Sequence, residues 1–488
     1  MKKILIAILT IELILPNVIL SQGFKSNSDE ISRVEIIKNY VHNNIFEEVK
    51  IYKEGCYNGY TLIGPLKGPY SSNAILVNMK GKTINSWDNV FPFPVKMLFD
   101  GEILVGKYTD SFTHYEGDAK EVCQLDWQGN TIWNFSDMFE YGSNKSARQH
   151  HDFQREGNPV GYYAPGQEFL PQGNTLILGH VNVNNSEISN KQLQDDVIYE
   201  VDWEGNPTGF IWYANEHFDE FGFSDEAKNS IYIYPGIAKP NVLWWKIASL
   251  ENGFLENDWL HINSVSRIGK NKWYEEDPIN YSIFNPKNII FDSRHANIIA
   301  IIDYETGNLV WRVGPDYSNE TIEGQNIGQI IGPHNAHMIP KGLPGEGNIL
   351  VFDNGGAAGY GSVPGQPNKY RYYSRVIEFN PVTLDVVWEY ENKKTEKIDM
   401  KFIFYSKLIK WGKNHHFYSP YVSSAQRLPN GNTMITEGYA KRVFEVNFEK
   451  EIVWDYFRFR NKGIFYRAYR IPPEWVLNNP SGYDLWEK

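Results

Sequence analysis

Four short segments of this 488-residue chain set histidine beside amide, hydroxyl or guanidinium groups. They are Gln149-His150-His151-Asp152-Phe153, Asp258-Trp259-Leu260-His261-Ile262-Asn263-Ser264, Asp292-Ser293-Arg294-His295 and Gly332-Pro333-His334-Asn335-Ala336-His337-Met338. Side chains two apart on a strand face the same side, so alternation directs His261 and Asn263 into one pocket. Arg294 follows on the next apolar strand, and its planar fork matches the oxygens of a sulfate or phosphate group. His, Asn and Arg then make an anion site with no acidic residue in it. A histidine facing such a site is a nucleophile or a proton carrier. Converging histidines also suit a metal, but Arg294 would repel a cation, so the anion reading is preferred and no metal site is expected. His42, His114, His180 and His217 read as structural. Asp353-Asn354 reads as a turn that could also steady a nucleophile.

The elements that must hold these residues are strands. One hairpin recurs six times, each copy closing on tryptophan: Trp87, Trp133, Trp212, Trp311, Trp388 and Trp454. Its turns read MKGK, WQGN, WEGN, YETGN, PVTL and FEK. A second pattern, a Pro/Asn/Gly turn followed by an apolar strand, alternates with it, as in FLPQGNTLILGH, IPKGLPGEGNILVFDNG and RLPNGNTMITEG. Six alternating hairpin pairs predict an all-β six-bladed β-propeller over residues 59–470, with a pair of β-sandwiches as the other reading. Longer insertions at 184–191, 214–255 and 393–416 are expected on one rim, where a substrate site belongs.

Composition agrees with a strand-rich globular protein: 15% of residues are aromatic, and there are 40 glycines and 25 prolines. The net charge of −12 argues against binding nucleic acid, because an acidic surface repels phosphate. Lys2 and Lys3, the apolar run from Ile4 to Leu20 and the exit Ser21-Gln22-Gly23 read as a signal peptide over residues 1–22. A periplasmic or secreted protein is expected, with no membrane span once the signal is removed. An uncleaved anchor is the other reading of this segment. Residues 23–58 form an N-terminal extension with a short helix, suggested by Ile31, Val34, Ile37 and Val41 at helical spacing. Residues 471–488 form a C-terminal tail. Whether Cys56 and Cys123 pair is not readable from their positions, and neither is the oligomeric state.

The ordered set HHDFQ, WLHINS, DSRHANIIAIIDYETGNLVW, HNAHMIP, VFDNGG, YSRVIEFNP and YSPYVSSAQRLPNGN resembles the bacterial aryl-sulfate sulfotransferases, over about residues 59–456. The resemblance implies that His334, six residues before Pro340, attacks sulfur and carries the sulfuryl group. It implies that His261, Asn263 and Arg294 hold sulfuryl oxygens, that His151 and His261 move protons at the phenolic oxygens, and that Ser423 adds a hydroxyl contact. The expected partners are a phenolic sulfate donor and a phenol acceptor, with no cofactor. An odd offset along a regular strand would send His334 and His337 to opposite faces. A secreted propeller that binds sulfated glycans or phenolics without turnover is the alternative, because a fold does not fix a function.

Overall fold

The computed structural model describes residues 48–486 apart from 67–71, 109–117, 142–143, 158–161, 167–169, 171, 237–256, 393–415 and 459–462. The signal segment, the helix read around Ile31–Val41, and His42, His114 and His415 lie outside the described residues.

Turn chemistry sets the hairpins. In the WQGN turn the Asp126 carboxylate accepts the Asn130 backbone N–H at 2.7 Å, while Gly129 takes φ 89°, a conformation that penalises a Cβ. The WEGN turn repeats this: Asp202 accepts from Asn206 at 2.7 Å and Gly205 sits at φ 84°. Flanking β-branched and aromatic residues then extend into antiparallel ladders.

One sheet runs in the order Ile464–Ile471, Tyr60–Leu66, Ser72–Val77, Thr83–Met97, Ile103–Lys107, Glu121–Leu125, Thr131–Phe135. Its long strand Thr83–Met97 serves two partners, pairing with Ser72–Val77 as far as Val90 and with Ile103–Lys107 from Phe91 onward. The sheet is therefore two four-stranded meanders that share a strand. Three more meanders follow. The first is Gln149–Arg155, Thr175–Val183, Leu193–Val201 and Pro207–Tyr213. The second is Ile262–Arg267, Ile289–Ser293, Ile298–Ile302 and Leu309–Val313. The third is Pro333–Met338, Ile349–Asp353, Arg375–Phe379 and Val386–Glu391. The last sheet holds Ser424–Arg427, Thr433–Glu437, Arg442–Val446 and Ile452–Phe457, with Val49–Tyr52 added at its edge. The fold is thus mostly β.

The six hairpin tryptophans have a common role. Each indole N–H donates to a backbone carbonyl in a turn of another meander: Trp87 to Asp126, Trp133 to Trp203, Trp212 to Gly307, Trp311 to Pro381, Trp388 to Phe448 and Trp454 to Met79, all at 2.8–3.0 Å. The chain of contacts runs from first meander to last and returns to the first. The C-terminal strand Ile464–Ile471 likewise pairs with Tyr60–Leu66 near the start, Tyr60 facing Ile471.

Apolar clusters fill the gaps between meanders. Leu178, Ile198, Trp212, Phe291 and Ala300 bridge two of them, and Ile290, Ile301, Met338, Val351 and Ile377 bridge the next pair. Each fully buried side chain of this size contributes about 1.5–3 kcal/mol. Polar side chains gather on the first strands of the meanders instead. Asp152 accepts from Lys96 at 2.7 Å and from Arg467 at 2.8 Å, tying three such strands together. Cys56 and Cys123 are unpaired. Among the described residues no helix is long and apolar enough to cross a membrane.

Candidate active site

The candidate residues stand where the first strands of the meanders break their own regularity. The strand Gln149–Arg155 shifts register between Gln149 and Phe153, Ile262–Arg267 between Ile262 and Ser264, and Pro333–Met338 between His334 and His337. Left-handed backbone marks the same places: His151 at φ 51°, His261 at 54°, Asn335 at 58°, Val422 at 56° and Ser423 at 92°. Such bulges re-aim side chains, and non-glycine residues in this region carry strain that clusters at functional sites.

His334 is buried, and both ring nitrogens are engaged. The Asn354 amide nitrogen donates to the carbonyls of Ser419 at 2.7 Å and Val422 at 2.8 Å, which leaves its Oδ1 facing His334 Nδ1 at 2.8 Å. Nδ1 therefore carries the proton, with the Gly332 carbonyl at 3.2 Å as a second acceptor. Nε2 keeps its lone pair and accepts the Val422 backbone N–H at 3.1 Å. Burial, then the charge of Arg294, holds the imidazole pKa well below its ordinary value. The ring is a neutral base at physiological pH.

Arg294 follows the strand Ile289–Ser293, and its backbone N–H donates to His261 O at 2.9 Å. Among the described residues its guanidinium has no hydrogen-bond or ion-pair partner. Burial lowers its pKa, opposed by the nearby Asp258 carboxylate and the hydroxyls of Tyr418 and Tyr421. Asp258 corrects the expectation of a site without acidic groups.

Asp258 also grips His261 through Nδ1, and its carboxyl is held well below the usual range despite burial, chiefly by the charge of His261. Orientation by a carboxylate leaves His261 Nε2 as the working atom. His295 stacks on His261 with centroids 4.7 Å apart, and its Nδ1 meets the Asp258 carbonyl at 2.8 Å. His151 stands edge-on to His261 at 4.6 Å, beside Phe93 at 4.4 Å. Burial and then His261 hold His151 well below its ordinary pKa.

His151, His261, Arg294 and His334 are thus brought together. Alternation does not explain it, because His261 precedes the strand and its φ is positive. Asn263 donates to the Pro333 carbonyl at 2.9 Å and lies 3.5 Å from His334 Nδ1, so it supports the strand that carries His334. Ser423 is not brought to the imidazole. Its hydroxyl donates to Ser419 Oγ at 2.8 Å and accepts from Gly438 N–H at 3.1 Å. The neighbouring Val422 N–H faces the imidazole instead, a donor that side-chain motifs do not reveal. The parity argument separating His334 from His337 is overtaken by the bulge between them. His337 is separated by its partners: Nδ1 meets Asn335 O and Nε2 meets Tyr162 Oη, each at 2.8 Å. Asn354, read as part of a turn that could also steady a nucleophile, bonds to His334 Nδ1.

Two groups are close enough for a metal, His150 with His180 and Asp196, and Asp258 with His261 and His295. The His150 and His180 rings lie parallel, 6° apart and 3.5 Å between centroids, so their lone pairs run side by side. In the second group both imidazole Nδ1 atoms are already bonded to Asp258. In both groups the side chains already face protein partners.

The sequence matches the arylsulfotransferase (ASST) family over residues 165–462. The chain belongs to the arylsulfotransferase family. Membership supports sulfotransferase chemistry in general and small phenolic substrates. No curated protein matches the chain. Among solved structures it is similar to a protein of unknown function from Bacteroides caccae, at 11% identity over 85% of this chain and 99% of that one, with a TM-score of 0.41. It is also similar to the Dos1 propeller, at 9% over 85% and 76% with a TM-score of 0.33. A third likeness is virginiamycin B lyase from Staphylococcus aureus, at 10% over 84% and 89% with a TM-score of 0.31. The arylsulfotransferase match begins after His151 and covers His261, Asn263, Arg294, His334 and Ser423.

Proposed function

We propose that this chain is an aryl-sulfate sulfotransferase that works by a ping-pong mechanism through a sulfohistidine at His334. The observation that carries the reading is a neutral, Nδ1-protonated His334 under the charge of Arg294, whose guanidinium has no carboxylate bonded to it among the described residues. A neutral imidazole approaches a sulfate ester without charge repulsion. The His334 Nε2 lone pair forms the bond to sulfur while the bond from sulfur to the phenolic oxygen breaks, and the electron pair leaves with the phenoxide. Arg294 takes the negative charge on the sulfuryl oxygens, where preorganised donors act most strongly. The Val422 N–H, which rests on the Nε2 lone pair in the free site, passes to a sulfuryl oxygen as Nε2 bonds to sulfur. His261, oriented by Asp258, and His151 serve the proton at the phenolic oxygen. The second half-reaction runs in reverse onto an acceptor phenol.

The scaffold reading belongs to the same proposal: six meanders act as blades of a closed six-bladed propeller. The tryptophan contacts that return from Trp454 to Met79, and the sheet shared by the two ends of the chain, support it. Export to the periplasm or beyond is proposed from the N-terminal sequence. The functional test is turnover of 4-nitrophenyl sulfate with phenol as acceptor. Formation of phenyl sulfate is the expected result, and binding of the donor without turnover would contradict the reading.

A further inference from the structure

His150 and His151 are consecutive, and a regular strand would send them to opposite faces. Here Gln149 faces Gly179 and Phe153 faces Ile177, so residues 150–152 stand against Leu178 alone. With His151 at φ 51°, the bulge folds the two rings together until their Nδ1 atoms are 2.9 Å apart. Two neutral imidazoles at that distance place one proton between them: one Nδ1 donates and the other accepts.

The far side of His150 meets a buried carboxylate. His150 Nε2 lies 3.1 Å from Asp196 Oδ1, with His150 1% exposed and Asp196 fully buried. The two atoms are within reach but not aligned as a formed hydrogen bond, and a proton relay through them requires the His150 ring to turn onto Asp196. Two lone pairs held this close in a buried site would repel, so a proton resides on one side or the other. With Asp196 ionised, His150 carries its proton on Nε2 and accepts from His151 Nδ1–H, which leaves a lone pair on His151 Nε2. With Asp196 protonated, each proton moves one place along, and His151 Nε2 bears N–H. One carboxyl proton thereby switches the residue at the reacting oxygens between base and acid.

We propose that Asp196 and His150 are positioning residues that work through His151 as a proton relay. The relay lends a proton to the departing phenoxide and recovers it from the acceptor phenol. This rests on the reading of His334 as the sulfuryl carrier. The protons balance: Asp196 is a carboxylic acid before donor cleavage, a carboxylate while the sulfohistidine lives, and an acid again after the second transfer. Burial pushes the Asp196 carboxyl up to about 7, so both forms are populated near neutral pH. The groups facing it are His150, His180, Asp258 and His261, with the buried Asp195 carboxyl also acting on it. Those acting on His151 are His261, His150, His334 and His180. Its supports are also in place: both Asp196 oxygens accept from Ile262 N–H at 3.2 Å, and His180, stacked on His150, is held by Asp118 at 2.7 Å.

The test compares leaving groups in single-turnover sulfurylation of the full chain. 4-Nitrophenoxide departs without a proton, whereas phenoxide needs one. D196N keeps the acceptor for Ile262 N–H but stores no proton. It is expected to slow sulfurylation by phenyl sulfate at least tenfold more than sulfurylation by 4-nitrophenyl sulfate. H150Q is expected to show the same selective loss, and the double variant no greater one. Equal losses on both donors, or none on either, would overturn the relay. Failure of the wild type to take the group from either donor would instead sink the sulfotransferase reading. A readout without turnover then decides the relay. Ring-nitrogen NMR of histidine-labelled protein is expected to show the His151 tautomer exchanging between pH 6 and 8 in the wild type and fixed in D196N. A single tautomer throughout that range in the wild type would overturn the relay.

Discussion

Asn354 Oδ1 sits 2.8 Å from His334 Nδ1, and the same amide spends its nitrogen on the carbonyls of Ser419 and Val422. The amide cannot turn over without placing its oxygen against two other oxygens, so the imidazole tautomer is fixed. Asn354→Ala removes the nearer acceptor, leaves Nδ1–H only the Gly332 carbonyl at 3.2 Å, and strips a donor from the buried carbonyls of Ser419 and Val422, which costs about 1–3 kcal/mol. Sulfurylation by 4-nitrophenyl sulfate is expected to fall tenfold to a hundredfold with little change in KM. A variant as fast as wild type in stopped-flow measurement would show that Asn354 does not orient the ring.

The charge of Arg294 acts on His334, and its guanidinium is a planar fork. Arg294→Lys keeps the charge but loses the fork. Loss of one aimed donor raises the barrier by on the order of 3 kcal/mol, so kcat/KM should drop about a hundredfold while the melting temperature stays close to wild type. Near-normal turnover by the lysine variant would count against direct contact with the sulfuryl oxygens.

The same residue governs a pH effect. The nucleophile is the neutral imidazole, and burial and Arg294 both hold its pKa below the ordinary value. An unperturbed histidine would lose rate as pH falls through about 6.5. Here kcat/KM for 4-nitrophenyl sulfate is expected to persist through that window and to decline only at lower pH. In Arg294→Gln, where one depressing charge is gone, the decline should move upward toward 6.5. A wild-type acid limb centred at 6.5 would contradict a depressed His334.

Much of the scaffold was legible because its turns announce themselves. Asp126-x-x-Gly129-Asn130 and Asp202-x-x-Gly205-Asn206 fix tight hairpins by local hydrogen bonds, and the tryptophans that end them mark the strands that tie one meander to another. The family motifs also singled out His151, His261, Arg294 and His334, whose segments the fold brings together. What escaped was everything that depends on broken regularity. Strand alternation explains neither the meeting of His150 with His151 nor the aim of His261, because each depends on a bulge or a left-handed residue. Asp196 stayed hidden because its partners His150 and Ile262 come from other segments of the chain, and Asp258 because its offset of three from His261 is not one that strand alternation brings together. Val422 contributes a backbone N–H, which no side-chain pattern encodes, and Ser423 drew attention in its place.

Trp454 is fully buried and donates to Met79 at 2.9 Å, joining the last meander to the first. Trp454→Phe removes that donor while keeping most of the ring, and is expected to cost about 1–3 kcal/mol. Trp388→Phe cuts the equivalent contact to Phe448 and should cost a similar amount. Urea unfolding curves check both. A Trp454 variant with an unchanged midpoint would show that this contact does not help close the scaffold.

The central claim is that the sulfuryl group rests on His334. The direct measurement is to incubate the full chain with 4-nitrophenyl sulfate in the absence of any phenol, quench at alkaline pH and map the modified peptide by mass spectrometry. The account predicts a stoichiometric burst of 4-nitrophenol and a sulfuryl group on His334, both lost in His334→Ala. A sulfuryl group on His337, or a His334→Ala variant that still turns over, would contradict it.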